Sequence, residues 1–182
     1  MKRRKKRLTT RKRSALGWIT ALVLVVTAGH LSGVYCLTPG RALRNLEQEN
    51  FCGRTEWLCR LAEPSGANRD LRLSAGEHAV ILGEYRFSWD RGWQTMRSSV
   101  LARDAERPFS AGLDFWTDIR DPGVHGTYIR YFFIYGVLES TEVAELEITF
   151  DAQEGGSDQT VRLTKADWFT TESGERFFLC AL

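Results

Sequence analysis

From Ser14 to Gly40 no position is charged, and the stretch Ala15–Leu37 (ALGWITALVLVVTAGHLSGVYCL) is apolar along most of its length. Wound as a helix it would extend about 35 Å at roughly 1.5 Å per residue, enough for a hydrocarbon core of about 30 Å. A helix meets its own backbone hydrogen bonds inside lipid, so the pattern predicts one transmembrane helix over 15–37. The pattern then changes. Thr38-Pro39 supplies a hydroxyl cap followed by proline at the first helical position. Ala42, Leu43 and Leu46 recur at helical spacing among Arg41, Arg44, Glu47 and Glu49. This predicts a short amphipathic helix over Pro39–Glu49, within a 38–52 segment that leads into the next domain.

Beyond residue 53 the period shortens to two. Arg54–Leu61 alternates through Thr55, Trp57, Cys59 and Leu61, and Glu63–Asn68 reads as a turn. Strands are predicted over Leu71–Ser74, His78–Phe87 and Trp93–Leu101. Residues 102–126, with Pro108, Gly112, Pro122, Gly123 and Gly126, predict a long connection with one helical turn through Leu113–Ile119. Thr127–Leu138 is almost continuously apolar, the mark of a central strand buried on both faces. In Val143–Phe150, Leu146, Ile148 and Phe150 alternate with Glu145, Glu147 and Thr149, as in a strand with one buried face. Asp151–Asp158, around Gly155-Gly156, should close a hairpin with Thr160–Leu163, and Arg176–Ala181 should complete the sheet. Seven or eight short strands with no β-α alternation predict a mainly β fold, an antiparallel β-sandwich or open barrel over 53–182.

Charge changes the picture at one end only. Nine of the 25 Lys and Arg residues lie in the first 13 positions, with no acid among them. The rest of the chain holds 16 basic residues against 23 acidic ones, a formal charge of −7. Flanking Lys and Arg resist translocation. Residues 1–14 therefore read as a cytoplasmic tail, 15–37 as a signal anchor in contact with membrane lipid, and 53–182 as an extracytoplasmic domain. The tail is accounted for by topology and the acidic remainder repels phosphate, so no nucleic-acid partner is expected. Trp18 and Tyr35 stand near the two ends of the span, where aromatic rings favour the interface. The rival reading is a cleaved signal peptide and a secreted product, since Val26-Thr27-Ala28 suits signal peptidase. The uncharged stretch continues well past Ala28, which favours retention. A lipidated Cys36 is disfavoured, because Tyr35 and Gly33 hold places where a lipoprotein signal wants a small residue and leucine. His30 reads as a neutral side chain near the outer interface.

The candidate chemistry is sparse. Ordinary globular composition, 43% hydrophobic and 26% charged, excludes collagen-like, low-complexity and wholly disordered chains. Cys36, Cys52, Cys59 and Cys180 match no zinc knuckle or CxxC spacing. An extracytoplasmic location permits a disulfide, Cys52 with Cys59 or Cys59 with Cys180, and buried reduced thiols are the alternative. Neither His78 nor His125 accompanies a cysteine-protease signature, and no GxSxG elbow is present. Asp114, Asp118 and Asp121 approach His125 in sequence, a set that could hold a hard cation, as could Asp151, Glu154 and Asp158. Neither has the spacing of a calcium loop, so no metal, catalytic residue or cofactor is assigned. Trp89-Asp90-Arg91-Gly92-Trp93 places two indoles around a charged turn, able to stack on sugars or anchor a protein. Phe115 and Trp116 carry the same potential for binding, whereas Trp57 and Trp168 are assigned to the core.

The order of basic tail, single span, Thr-Pro helix and all-β ectodomain continues through Tyr135-Gly136-Val137-Leu138, Val143, Leu146-Glu147-Ile148 and a terminal Phe177-Phe178-Leu179. It resembles uncharacterised small membrane-anchored proteins of Gram-positive bacteria over most of the chain. The resemblance implies location and architecture and carries no catalytic residues with it. Residue pattern and resemblance together predict a non-catalytic module for recognition or scaffolding at the cell envelope, with an envelope protein or glycan as partner. The alternative is a secreted or membrane-tethered hydrolase or metal-binding enzyme built on Asp114, Asp118, Asp121 and His125.

Overall fold

A computed structural model of the chain describes residues 10–61, 70–119, 128–150 and 159–181. Helix α1 spans Thr10–Leu31. Its segment Ser14–Leu31 is long and apolar enough to cross a membrane, a character shared by anchors and signal sequences, and none of it is buried. The helix stops six residues short of the predicted Leu37. Gly33 takes a left-handed φ of +81°, and Ser32 N–H, Gly33 N–H and Tyr35 N–H turn back to the carbonyls of Ala28, His30 and Gly29. Helix geometry cannot continue through a left-handed residue, and glycine adopts it without a Cβ clash.

Helix α2, Pro39–Asn50, follows the predicted bounds to within a residue. Thr38 caps it by accepting from the Arg41 N–H, and Phe51 closes it in a left-handed conformation. Three antiparallel sheets follow among the described residues. Strands β1 (Thr55–Leu61), β2 (Asp70–Gly76), β3 (Ala79–Ser88) and β4 (Gly92–Ala102) form a sheet in chain order. Strands β5 (Phe109–Ile119), β6 (Tyr128–Leu138), β9 (Trp168–Thr170) and β10 (Arg176–Ala181) form a second, in the order β5-β6-β10-β9. Strands β7 (Glu145–Phe150) and β8 (Gln159–Thr164) pair as the predicted hairpin. Strands make up about half of the described residues, and among these no sheet closes on itself, so the protein is mainly β.

Strand β5 corrects the sequence expectation, which placed a connection and a helical turn there. It pairs with β6 over its whole length, from Phe109↔Leu138 to Ile119↔Tyr128. Gly112, which reads as a loop residue, lies opposite Tyr135, and a Cβ there would come within 2.9 Å of the tyrosine ring. The glycine makes room for an aromatic ring inside a strand.

Alternation along β3 and β6 orders the packing. Leu71, Leu73, Ala75, Val80 and Leu82 of the first sheet share a cluster with Trp116, Phe133, Tyr135, Val137 and Phe177 of the second. From the opposite side of β3, Ala79, Ile81 and Tyr85 pack with Ala42, Leu43 and Leu46 of α2 and with Cys36 and Cys52. From the opposite side of β6, Ile134 and Leu138 pack with Phe178 and with Leu146 and Leu163 of the hairpin. Strand β6 is thus buried on both faces over 133–138, where its apolar run is unbroken.

Arg103 ties the two large sheets at one end. Its guanidinium donates twice to Glu139, at 2.9 and 2.8 Å, and also to the Gly76 carbonyl and Glu175. A second tie is the Tyr135 hydroxyl, 2.6 Å from Ser99 Oγ of β4.

Candidate functional site

The residues between α1 and α2 form a neck that is fastened to the turn between β3 and β4. Cys36 makes a parallel bridge with Gly92, and its carbonyl accepts from Trp93 N–H at 2.7 Å. Gly92 has φ +73°, and a Cβ there would collide with the Cys36 carbonyl. Tyr35 donates its hydroxyl to the Trp89 carbonyl at 3.2 Å. Three side chains hold the other side of the neck. His30 Nδ1 accepts from Leu37 N–H, Arg41 donates to the Leu31 carbonyl at 2.6 Å, and Asn45 donates to the Gly33 carbonyl at 2.9 Å. Among these, the Leu31 carbonyl is one that the end of α1 leaves without a partner inside the helix.

Helix α2 is fixed to the first sheet by a buried polar junction. Glu47 is 5% exposed. It accepts from Arg44 at 2.5 Å and from both the backbone N–H and hydroxyl of Thr55 at 2.6 Å. Arg44 also reaches the Thr55 carbonyl, and Thr55 Oγ1 meets Ser74 Oγ. A buried carboxylate is tolerable when each oxygen is met in this way. The sequence marked Glu47 only as a polar position between apolar ones, and nothing in its spacing announced a partner at Thr55.

The structure divides the sequence-predicted binding residues. Trp89, Asp90 and Arg91 are exposed at the β3–β4 turn, with Trp89 89% exposed. Its ring stands edge-on to Phe87 at 5.4 Å. Trp93 instead packs partly buried against the α2 cluster. Trp116 belongs to the core and donates its indole N–H to Asp114 at 2.8 Å. Phe115, its neighbour on the opposite strand face, is 60% exposed and lies 6.3 Å from Phe132, with Leu113 exposed on the same face. Trp57 and Trp168 are partly buried beside the α2 and hairpin clusters, each under an arginine, Arg72 and Arg176.

Asp114 spends both carboxylate oxygens locally, on Phe115 N–H and on Trp116. Asp118 belongs to β5, while Asp121 and His125 lie outside the described residues, as do Asp151, Glu154 and Asp158. Among the described residues no group of three or more His, Cys, Asp or Glu side chains gathers as a metal site would.

All four cysteines are free thiols. Neither predicted pair is brought together. Cys52 packs with α2 outside the first sheet, Cys59 packs against the core shared by the two sheets, and Cys180 packs with the hairpin outside the second. Burial pushes all four thiols above their ordinary range, which lowers the thiolate fraction that nucleophilic or metal chemistry requires.

A shallow cleft of about 190 Å³ opens beside the neck, lined by Gly33, Cys36, Asn45, Glu49, Arg91 and Trp93 among others. Small-molecule sites are typically about 300–1,000 Å³, so this cleft suits a few waters or a small group rather than a metabolite. Comparison with protein-family models, curated proteins and solved structures found no match.

Proposed function

We propose that this is a single-pass membrane protein with its basic tail in the cytoplasm, which presents a non-catalytic β domain at the cell envelope for recognition or scaffolding. The observation that carries the reading is α1 itself. Leu16, Trp18, Ile19, Leu22, Val23, Leu24 and Val25 are each more than half exposed around its circumference. A helix apolar on all sides with nothing packed on it is stable in lipid and a liability in water. The nine cations before its apolar part, which begins at Ser14, favour retention of that end in the cytoplasm. We read the two four-stranded sheets as a face-to-face sandwich, covered by α2 on one side and the hairpin on the other. The neck makes the domain a direct extension of the helix rather than a body on a flexible linker.

Recognition is assigned to the outer face of the second sheet, where Leu113, Phe115 and Phe132 expose apolar surface beyond the hairpin-covered part. Aromatic anchors of this kind suit a protein or glycan partner of the envelope. A photoreactive phenylalanine analogue at position 115 of the full-length chain, irradiated in intact cells, tests this. Adducts with an envelope component are expected at 115 and not at the exposed control position Glu172. Equal labelling at the two positions, or none at 115, would remove this face as the recognition surface.

A further inference from the structure

We propose that the β3–β4 turn is a second membrane contact, in which Trp89 enters the phospholipid headgroup layer beside the end of α1 and seats the domain on the bilayer. The inference rests on the anchored reading above and adds to it a lipid-binding element outside the span.

The placement follows from a chain of short bonds. Tyr35 N–H is bonded to the Gly29 carbonyl in the last turn of α1. The Tyr35 hydroxyl is bonded to the Trp89 carbonyl. The turn therefore stands one tyrosine side chain from the helix end. The headgroup layer adds roughly 5–7 Å to each side of the hydrocarbon core, so a group this close to the end of a spanning helix falls within it or at its edge. A further attachment holds the turn there, the parallel Cys36–Gly92 bridge with its Trp93 N–H bond to the Cys36 carbonyl.

The chemistry of the exposed groups fits that layer. Trp89 is 89% exposed, and Val34 of the neck and Leu31 at the end of α1 are 80% and 72% exposed. Phe87 backs the Trp89 ring and is itself partly exposed. Indole, with an apolar body and one N–H donor, is favoured at the headgroup level. Asp90 and Arg91 are exposed beside it and lie 3.5 Å apart, so the tip has no net charge to attract anionic lipid specifically. Apolar and aromatic surface drives the contact, and its ligand is the general phospholipid interface. The two indoles around the turn thereby take different tasks, Trp93 locking the turn to the neck and Trp89 meeting the membrane.

The test uses the full-length protein in phosphatidylcholine nanodiscs, with lipids carrying bromine either near the glycerol end or near the methyl end of the acyl chain. The Trp89 contribution is the difference in fluorescence between wild type and Trp89→Phe, and the Trp18 contribution is obtained with Trp18→Phe. Both residues are highly exposed, so neither replacement disturbs the core. The Trp89 component should be blue-shifted and lose most of its emission to bromine near the glycerol end, with little loss to bromine near the methyl end. If Trp18 is quenched and Trp89 keeps the emission of a hydrated indole, the seating is wrong while the anchor stands, and a protein or glycan becomes the ligand of Trp89. If neither component is quenched, the anchored reading fails and the seating fails with it.

Discussion

At the scale of single residues, a few buried charges matter more to the fold than their number suggests. Arg103 is the clearest case. Its side chain is 12% exposed, and four of its donors reach Glu139 in a fork, Glu175 and a backbone carbonyl. Removing one member of such a pair leaves the other buried and unmatched, so Arg103→Ala should cost about 3 kcal/mol of stability. Arg103→Lys should recover only part, because an ammonium cannot reproduce the fork. Urea unfolding of the detergent-solubilised protein measures both, and a change within about 0.5 kcal/mol for the alanine variant would contradict the clamp.

Asp70 supplies a pH dependence. Burial raises its carboxyl, but the hydrogen bond and charge of Arg72, with Arg60 added, outweigh burial and hold it below the usual carboxylate range. An unfolded Asp titrates near pH 3.9. Its contribution to stability is therefore fully present above that value and is lost as pH falls through the lowered folded value. Asp70→Asn should flatten the acid limb of the stability curve. Parallel curves for the two proteins would contradict the assignment. The distant partners were not legible in the sequence, since Arg103–Glu139 and Glu47–Thr55 join positions that only the chain's return path makes neighbours. The cap at Thr38 was legible because a cap is local.

At the scale of elements, period and punctuation carried the reading where they were unambiguous. The period-two runs of β1, β3 and β7 and the helical spacing of α2 stand close to their expected bounds. Strand β5 was hidden because Gly112 and the acids Asp114 and Asp118 resemble loop composition. Their causes are tertiary for Gly112 and Asp114, a ring that needs space and an indole that needs an acceptor. The end of α1 was misjudged for a related reason. Val34, Tyr35 and Cys36 are apolar enough to extend a span, yet they belong to the neck, and Cys36 is 4% exposed against the β domain. Gly92 is the residue on which that junction depends. Gly92→Ala must strain a left-handed φ and push a Cβ into the Cys36 carbonyl, so the neck should open while both sheets persist. Hydrogen exchange at the Trp93 amide reports it directly. Its protection should fall by about tenfold or more, corresponding to at least about 1.4 kcal/mol, with the amides of β6 unchanged. Unaltered protection at Trp93 would show that the neck is not held by this contact.

At the scale of the whole molecule, the distribution of charge and oil matters more than any site. A strongly cationic end, an unpacked apolar helix and a net acidic β domain follow one another along the chain. In the proposed arrangement a bilayer would satisfy the first two and separate them from the third. The free thiols, two buried and two half-buried, fit a domain whose core is made by aromatic and aliphatic packing rather than by cross-links. Non-reducing mass analysis should find all four cysteines unpaired, and a mass two hydrogens lighter would reveal a disulfide. The fate of the N-terminal helix decides the account. Cell membranes should be extracted with alkaline carbonate and the mass of the retained chain determined. The account predicts a chain that still carries residues 15–37 in the carbonate-resistant pellet. Recovery of the full-length chain in the soluble fraction, or of a shortened chain beginning near Gly29, would contradict it.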